Sequence, residues 1–471
     1  MKITFSNLGA IKKTTLDLRP LTVIIGPNNS NKTYIAYSIY GLWDSIVNKP
    51  YLSLFEMNVT KVDKNTYSVK IDETFYDFLV KNCFQKIKSF KDDLENFFQD
   101  SSRKIFKQTN YELNLSRKAI KSRLIKLKEF SVNLPVGKIK FNVENNLLFI
   151  KFEIKDLKDN LLFDGESNAA LALYFTTINL LFPSPFLLPA ERNAFIITYK
   201  ILASNRLKNL RLIQRERISA RSERELELLR EQGVINYPQP IEDFLDFLTD
   251  VEFEKNIVNN SAERKKFCEL ANKIEESIQG KNKTNFKPTK FGGKEIKINI
   301  KKGLDIDLYN ASSSIKQLAP LLLYLRYRAE ENDLLIIDEP EMNLHPESQS
   351  KLLEVLGMLV NAGINVLLTT HSPYFMSHLN NLIAGDMNDN ETREKQAQSL
   401  YLGDSRAFLK PEDVSAYEMR QNKAGNQTLH DLKDKDYGIR WDTLSDVSAD
   451  IQQKFFEIYE KGEETSKGKE K

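Results

Sequence analysis

The sequence feature that most constrains the fold is an apolar run, Leu21-Thr22-Val23-Ile24-Ile25, that ends at Gly26. A strand covered on both faces is apolar throughout, whereas a half-buried strand alternates. The run therefore predicts a central strand of an α/β layer, and the residues from Lys32 to Trp43 predict the helix after it. The alternating segments Ile3-Thr4-Phe5 and Thr15-Leu16-Asp17-Leu18 predict two half-buried strands before it.

The loop between this strand and helix, Gly26-Pro27-Asn28-Asn29-Ser30-Asn31-Lys32-Thr33, has the residue types of a phosphate-binding loop. Such a loop uses a lysine for the β- and γ-phosphates, a hydroxyl for Mg²⁺ and the dipole of the following helix. Asn31 stands where the usual pattern has a second glycine. Asparagine adopts positive φ at a cost of about 1 kcal/mol or less, so we expect weakened rather than abolished binding. A simple turn between strand and helix is the alternative.

A second buried strand, Leu334-Leu335-Ile336-Ile337, ends in the adjacent carboxylates of Asp338 and Glu339. At such a strand end Asp338 can organise Mg²⁺ through water, and Glu339 can polarise an attacking water. A third apolar run, from Asn365 to Thr370, ends at His371 after one intervening helix. We therefore expect Glu339 and His371 to meet at neighbouring strand ends, although an acidic turn and a structural histidine are the alternatives.

A turn of small residues, Ala311-Ser312-Ser313-Ser314, opens a predicted helix just before the acidic strand. Its hydroxyl and N–H groups suit a γ-phosphate because a helix N-terminus attracts anions. A serine N-cap is the alternative for the same turn.

Composition excludes several classes of protein. The two cysteines, Cys83 and Cys268, are far apart and predict neither disulfides nor a zinc ribbon, which is typical of a reducing cytoplasm. The most apolar stretch, from Ala169 to Phe182, is too short and too polar to span a bilayer. A net charge of +3 neither requires nor excludes a nucleic-acid partner.

The pattern along the chain predicts an α/β core with a mixed sheet and helical insertions. Lys81 to Lys128 reads as basic helices, and Ile196 to Gln232 as a charged helix. Both fit either a solvated face or a contact with nucleic acid or an acidic protein. The expected divisions are core lobe I (1–45), a mainly helical basic insertion (46–130), lobe I continued (131–195), a helical arm (196–285), core lobe II (286–400), a C-terminal extension (401–461) and a disordered tail (462–471).

The order of phosphate loop, serine turn, Asp-Glu strand and histidine resembles an ABC-type ATPase head of the SMC, RecF and OLD kind. Asn7-Leu8-Gly9-Ala10, Leu344-His345-Pro346 and Thr370-His371-Ser372-Pro373 resemble most the OLD-like ATPases of bacterial anti-phage systems. The resemblance covers about residues 1–45 and 305–385.

This resemblance implies a P-loop ATPase in which two heads pair head to tail and sandwich two ATP molecules. Glu339 would be the catalytic base, His371 the γ-phosphate sensor, and Thr33 and Asp338 the Mg²⁺ site. Arg192 would lie near the nucleotide. The implied ATP contacts are Gly26, Asn28, Asn29, Ser30, Asn31, Lys32 and Thr33 of one subunit, with Ser312 and Ser314 of the other. Because Asn31 and Ser314 stand where the family usually has glycine, we predict slow hydrolysis.

We predict a cytoplasmic ATP-driven switch, a homodimer or higher oligomer, that controls a separate effector in anti-phage defence. The similar stand-alone ATPase subunits belong to two-component systems such as PARIS or Septu. A nuclease is not expected, because the one D-x-D after His371, Asp434-Lys435-Asp436, lies in a polar stretch. The alternatives are an ATP-bound scaffold without hydrolysis and a RecF-like DNA repair factor, which would bind duplex DNA through residues such as Lys121 and Arg123.

Overall fold

The computed structural model describes most of the chain. The described residues are 1–48, 59–63, 65–115, 120, 129–134, 137–144, 147–154, 174, 177–179, 181–204, 237–253, 262–288, 294–385, 390–434, 438–439 and 453–454. Within them the helices are α1 (Lys32–Val47), α2 (Glu73–Asp92), α3 (Leu94–Phe97), α4 (residues 192–204), α5 (Gln239–Phe253), α6 (Ala262–Ser277), α7 (Ser313–Tyr327), α8 (Pro346–Asn361), α9 (Pro373–Gly385) and α10 (Asn390–Ala397). No helix in these ranges is both long and apolar enough to cross a bilayer.

A mixed sheet of nine strands forms the centre of the described chain, in the order β10-β14-β15-β3-β16-β17-β2-β1-β6. Its strands are β1 (Lys2–Leu8), β2 (Ile11–Asp17), β3 (Leu21–Ile25), β6 (Asn110–Leu113), β10 (Pro185–Leu188), β14 (Leu334–Asp338), β15 (Asn365–Thr370), β16 (Val414–Gln421) and β17 (Gln427–Asp431). Five neighbouring strands of this sheet run parallel to one another: β10, β14, β15, β3 and β16. The strands predicted around residues 3–5, 15–18 and 21–25 are confirmed, as is the α/β class with a mixed sheet.

Two hydrophobic cores cover the two faces of this sheet, which explains the apolar runs. Along β3, Leu21, Val23 and Ile25 pack into the core that contains α7, α8 and α9. Ile24 packs into the other core, which contains α1 and α2. All five residues of β3 are buried, and the same holds for β14. A strand enclosed in this way has no polar face.

Besides the central sheet, the described residues form two further sheets of three or more strands. Three strands, β11 (Lys283–Pro288), β12 (Lys294–Lys301) and β13 (Leu304–Asp307), form an antiparallel sheet before α7. Five strands form the other sheet, in the order β4-β5-β9-β8-β7: β4 (Val59–Lys61), β5 (Thr66–Lys70), β7 (Glu129–Leu134), β8 (Gly137–Glu144) and β9 (Leu147–Ile154). The strands predicted at residues 139–141, 147–154 and 295–308 are confirmed.

The prediction of helix throughout Lys81 to Lys128 is wrong in part. α3 ends at Phe97, and β6 follows and pairs antiparallel with β1 at the edge of the central sheet. In addition, β4 and β5 belong to the same sheet as β7 to β9, so strands from both sides of the expected boundary at residue 130 pair together. The local charge and hydrophobic periodicity of the sequence do not indicate these strand pairings, because each pairing joins residues that are far apart in sequence. Most of 116–128, with Lys121 and Arg123, lies outside the described residues.

The segment predicted as a C-terminal extension, residues 401–461, contributes two strands to the central sheet. β16 pairs parallel with β3 along its whole length, and β17 continues the sheet toward β2. β16 contains buried Ser415 and Glu418 among its apolar residues, so it lacks the apolar run that marks a central strand. Asp434 lies in a two-residue strand, β18 (Lys433–Asp434), that pairs with β19 (Gly438–Ile439); residues 435–436 lie outside the described residues.

The charged helix predicted from Ile196 to Gln232 is helical as far as residue 204, and residues 205–236 lie outside the described residues. Helix is also confirmed over α5 and α6. The predicted disordered tail, 462–471, lies outside the described residues too.

Asp333, immediately before β14, makes the stability of this fold depend on pH. Its carboxylate is 7% exposed and accepts hydrogen bonds from the hydroxyl of Tyr324 at 2.8 Å and the N–H of Glu330 at 3.0 Å. Burial raises the pKa of Asp333 to about 7. A carboxyl whose folded pKa is raised contributes stability at low pH, and that contribution is lost as the pH rises toward the folded pKa.

We therefore expect Asp333→Asn to flatten the pH dependence of unfolding. Between about pH 5 and pH 8, wild type should lose roughly 2–3 kcal/mol relative to the variant, because one pKa unit corresponds to about 1.4 kcal/mol. Urea unfolding at both pH values measures this difference, with Asp92→Asn, an exposed aspartate, as the control. Parallel pH curves for wild type and Asp333→Asn would contradict the assignment.

Candidate functional site

A cavity of about 650 Å³ lies where β3, β14 and β15 end. These three strands are neighbours and run parallel, so their carboxyl ends meet at one edge of the sheet. The cavity is lined by Asn28, Asn29, Ser30, Asn31, Lys32, Thr33, Tyr34, Glu339 and His371. The structure thus brings together the predicted phosphate loop, the predicted base and the predicted histidine.

The loop has the backbone conformation of an anion cradle. Asn29 and Asn31 both have positive φ, at 60° and 69°. Asn31 precedes α1 without a side-chain cap, and no acidic residue lies in the first turn of α1. The N–H groups at this helix end are therefore available to an anion, which the helix dipole also attracts.

The side-chain amide of Asn31 lies against Gly9, in the turn between β1 and β2. A Cβ placed on Gly9 would collide with that amide and would lie 3.0 Å from the ring of Tyr34. At the start of the loop, a Cβ on Gly26 would lie 2.7 Å from the Cβ of Met419 in β16. Two glycines therefore allow neighbouring residues to pack closely against the loop.

Lys32 is the cation of the cavity, although it is only 5% exposed. Its ammonium donates to the carbonyl oxygens of Gly26 at 3.0 Å and Pro27 at 2.9 Å. Burial lowers the pKa of Lys32, while the nearby carboxylates of Glu339, Asp338 and Glu341 oppose this shift. A buried ammonium of this kind favours an anionic ligand, which would supply charge in place of carbonyl dipoles.

Asp338, at the end of β14, accepts hydrogen bonds from the start of α1 and from β15. The hydroxyl of Thr33 donates to its Oδ2 at 3.0 Å, and the hydroxyl of Thr369 donates to its Oδ1. The residue is 2% exposed. Burial raises the pKa of Asp338, and the two threonine hydrogen bonds lower it in part. The arrangement places a hydroxyl and a carboxylate together, which are oxygen ligands of the kind that Mg²⁺ prefers.

Glu339 has a left-handed backbone, with φ of 49°. This conformation is strained for a side chain with a Cβ, at a cost of about 1–3 kcal/mol. Its N–H donates to the carbonyl oxygen of Thr369 at 3.1 Å, and its Oε1 accepts from Nε2 of His371 at 2.7 Å. The hydrogen bond from His371 lowers the pKa of Glu339. Both side chains are 28% exposed, so the pair can reach a ligand in the cavity.

Glu341 holds the histidine from the backbone side. Its Oε1 accepts from the N–H of His371 at 2.6 Å and from the hydroxyl of Thr370 at 2.8 Å. The turn after β14 therefore fixes the turn after β15, and the Glu339–His371 pair lies between them.

These elements occur within a recognised family. Residues 1–376 match the family described as AAA ATPase domain. The chain belongs to this family. The match supports ATP binding and ATP hydrolysis, and the predicted P-loop ATPase fold is confirmed. No curated protein matches the chain.

The chain is also similar to solved SMC head domains. The first is an SMC head bound to the C-terminal winged-helix domain of ScpA, with 9% identity, a TM-score of 0.36, and coverage of 92% of this chain and 96% of that one. A Pyrococcus furiosus head bound to the C-terminal domain of ScpA has 11% identity, a TM-score of 0.35 and coverage of 96% and 98%. A Thermotoga maritima head has 9% identity, a TM-score of 0.32 and coverage of 92% and 98%. Likenesses of this size do not bear on function.

In this AAA ATPase, three residues that the resemblance places at or near the nucleotide are not among those that line the cavity. Ser312 is the N-cap of α7, and its Oγ accepts from the N–H of Ile315 at 3.4 Å and lies 3.0 Å from Oγ of Ser314. Neither serine is among the residues that line the cavity. Arg192 is 2% exposed and donates to the backbone carbonyl oxygens of Pro189, Asp338 and Glu339; it lies beside the site but is not among the residues that line the cavity.

Sequence reasoning missed three residues of the site. Tyr34 lines the cavity, and its ring packs against Phe98 and Phe106 at centroid distances of 5.5 and 5.2 Å. Thr369 donates a hydrogen bond to Asp338, and Glu341 accepts one from the N–H of His371. Their positions, next to residues already recognised on strand ends, were the available signal.

Gly9→Ala should weaken MgATP binding because the added methyl group would displace Asn31 and the loop. We expect an affinity loss of about tenfold, measured by isothermal titration calorimetry. Gly280→Ala is the matched control, since Gly280 has φ of 60° against 56° at Gly9 and has no neighbouring atom within 4 Å. Equal MgATP affinities for the two variants would show that the contact between Gly9 and Asn31 does not shape the loop.

Proposed function

We propose that the chain binds ATP in the cavity and hydrolyses it slowly, with Glu339 as general base and His371 contacting the γ-phosphate. The supporting observation is that one cavity contains loop residues 28–33, Glu339 and His371. The uncapped N-terminus of α1 and the buried ammonium of Lys32 suit the phosphates. Glu339 Oε1 and His371 Nε2 lie on adjacent strand ends, where a base and a hydrogen-bond donor can act on the same water and phosphate.

Mg²⁺ fits the residues present. Thr33 would bind it directly and Asp338 through water, since the two oxygens lie 3.0 Å apart beside the loop. When bound, the ion neutralises charge on the phosphate oxygens.

We attribute slow turnover to hydrogen bonds that the site residues make within the chain and to side chains that stand where the family usually has glycine. Lys32 donates to two loop carbonyls, and these hydrogen bonds must be exchanged when phosphate binds. The hydrogen bond from His371 lowers the pKa of Glu339, and a weaker base removes a proton from water less readily. Asn31 and Ser314 add side chains where glycine would leave room.

Ser312 would act on the ATP of a second copy of the chain. Ser312 and Ser314 open α7 and are not among the residues that line the cavity, which favours contact with a nucleotide bound by another subunit. We propose a head-to-tail homodimer in which each serine turn closes the partner's site.

Glu339→Gln tests the enzyme function. The amide keeps the shape of the carboxylate but cannot accept a proton, so we expect kcat to fall by roughly 100-fold or more while MgATP still binds. Phosphate release and calorimetry measure the two effects, with Glu347→Gln, an exposed glutamate on α8, as the control. Turnover that persists in Glu339→Gln would exclude Glu339 as the base. A wild type that binds ATP without turnover would favour the scaffold.

We further propose that ATP turnover gates a separate effector in anti-phage defence. The resemblance of the loop, strand ends and Leu344-His345-Pro346 to OLD-like ATPases supports this role. Bacteria that express the chain with its neighbouring genes should resist phage, and Glu339→Gln should alter that resistance although the protein still binds ATP. Resistance that does not require this chain, or neighbouring genes devoted to replication and repair, would contradict the role.

A further inference from the structure

We propose that Arg192 is a positioning residue that couples α7, the helix opened by the serine turn, to the backbone of Glu339. The inference rests on the proposed hydrolysis function and assigns Arg192 a role other than contact with ATP.

Arg192 contacts three separate elements at once. Its Nε donates to the carbonyl oxygen of Gln317 in α7 at 3.1 Å. One terminal nitrogen donates to Pro189 O at 2.9 Å and Asp338 O at 2.8 Å, and the other to Glu339 O at 3.2 Å. With the Gln317 amide oriented so that its oxygen faces the guanidinium, that oxygen accepts a further hydrogen bond at 2.7 Å.

Such a buried cation is costly as a purely structural device. Burial of a charge without a contacting carboxylate is unfavourable, and hydrophobic packing often gives equal or greater stability. Burial lowers the pKa of Arg192 only to about 10, so the group remains charged at neutral pH. The carboxylates of Asp338, Glu341, Glu339 and Glu191 are near enough to favour that charge. The guanidinium therefore balances the negative charge of the site while it holds backbone oxygens.

The contact on Glu339 supports a strained residue. Glu339 has φ of 49°, and its carbonyl oxygen is held by Arg192 while its N–H is held by Thr369. Gln317 lies five residues after Ser312 on α7, so a phosphate contact that moves the serine turn also moves an acceptor of Arg192. Arg192 is in addition the first residue of α4, so displacement of that helix reaches the same carbonyl oxygens.

Arg192→Lys tests the coupling because it keeps the charge but loses the planar fork of donors. We expect kcat to fall by about tenfold or more while the MgATP dissociation constant stays within about threefold, since only the alignment of Glu339 changes. Arg326→Lys is the control: this partly buried guanidinium, 15% exposed, lies at the far end of α7 and donates to Glu275 and to the carbonyl oxygen of Thr284. Its kcat should stay within about twofold of wild type.

Three results would overturn the inference: an unchanged kcat in Arg192→Lys, equal losses of kcat and MgATP affinity, or the same kcat loss in Arg326→Lys. If Arg192→Lys does not unfold cooperatively, Gln317→Met decides the matter. It removes the side-chain acceptor on α7, and we expect a severalfold loss of kcat at unchanged affinity. Unchanged kcat in Gln317→Met would then reject the coupling. Wild type without turnover would instead refute the proposed hydrolysis, and this inference with it.

Discussion

The site depends on one buried carboxylate. Asp338 ends β14 and accepts hydroxyl hydrogen bonds from Thr33, at the start of α1, and from Thr369, in β15. A buried carboxylate without partners would be strongly unfavourable, so each of these donors is fixed by the need to satisfy it. The phosphate loop, the acidic strand and the histidine strand are therefore held in register by contacts to a single side chain. The carbonyl oxygen of the same residue accepts from Arg192, which extends the arrangement to α7.

Sequence alone predicted the centre of this arrangement because the central strands carry a strong local signal. β3 and β14 are buried on both faces, so each appears as an apolar run followed by polar residues. The expected meeting of Glu339 with His371 followed from one intervening helix, and the two side chains lie 2.7 Å apart. The left-handed backbone at Asn31 agrees with the tolerance of asparagine for positive φ.

The contacts that sequence could not predict are those in which a backbone oxygen is the acceptor, or in which distant segments pair. Nothing in the residue types around Arg192 indicates that its acceptors are the carbonyl oxygens of Gln317, Asp338 and Glu339. β16 was missed because Ser415 and Glu418 interrupt its apolar pattern. The buried Ser415 side chain is satisfied by Asp17 O and Thr22, and only the folded structure shows that partner set.

The position of β16 has a consequence for the order of events during synthesis. Its residues pair with β3, nearly 400 residues earlier in the chain, and Met419 packs on Gly26 at the start of the phosphate loop. At a translation rate of about 5–20 residues per second, β3 waits roughly 20–80 seconds for this neighbour. During that interval β3 lacks its hydrogen-bonding neighbour β16, and the phosphate loop lacks its contact with Met419. The nascent chain therefore completes its nucleotide site only after β16 has been synthesised, nearly 400 residues after β3.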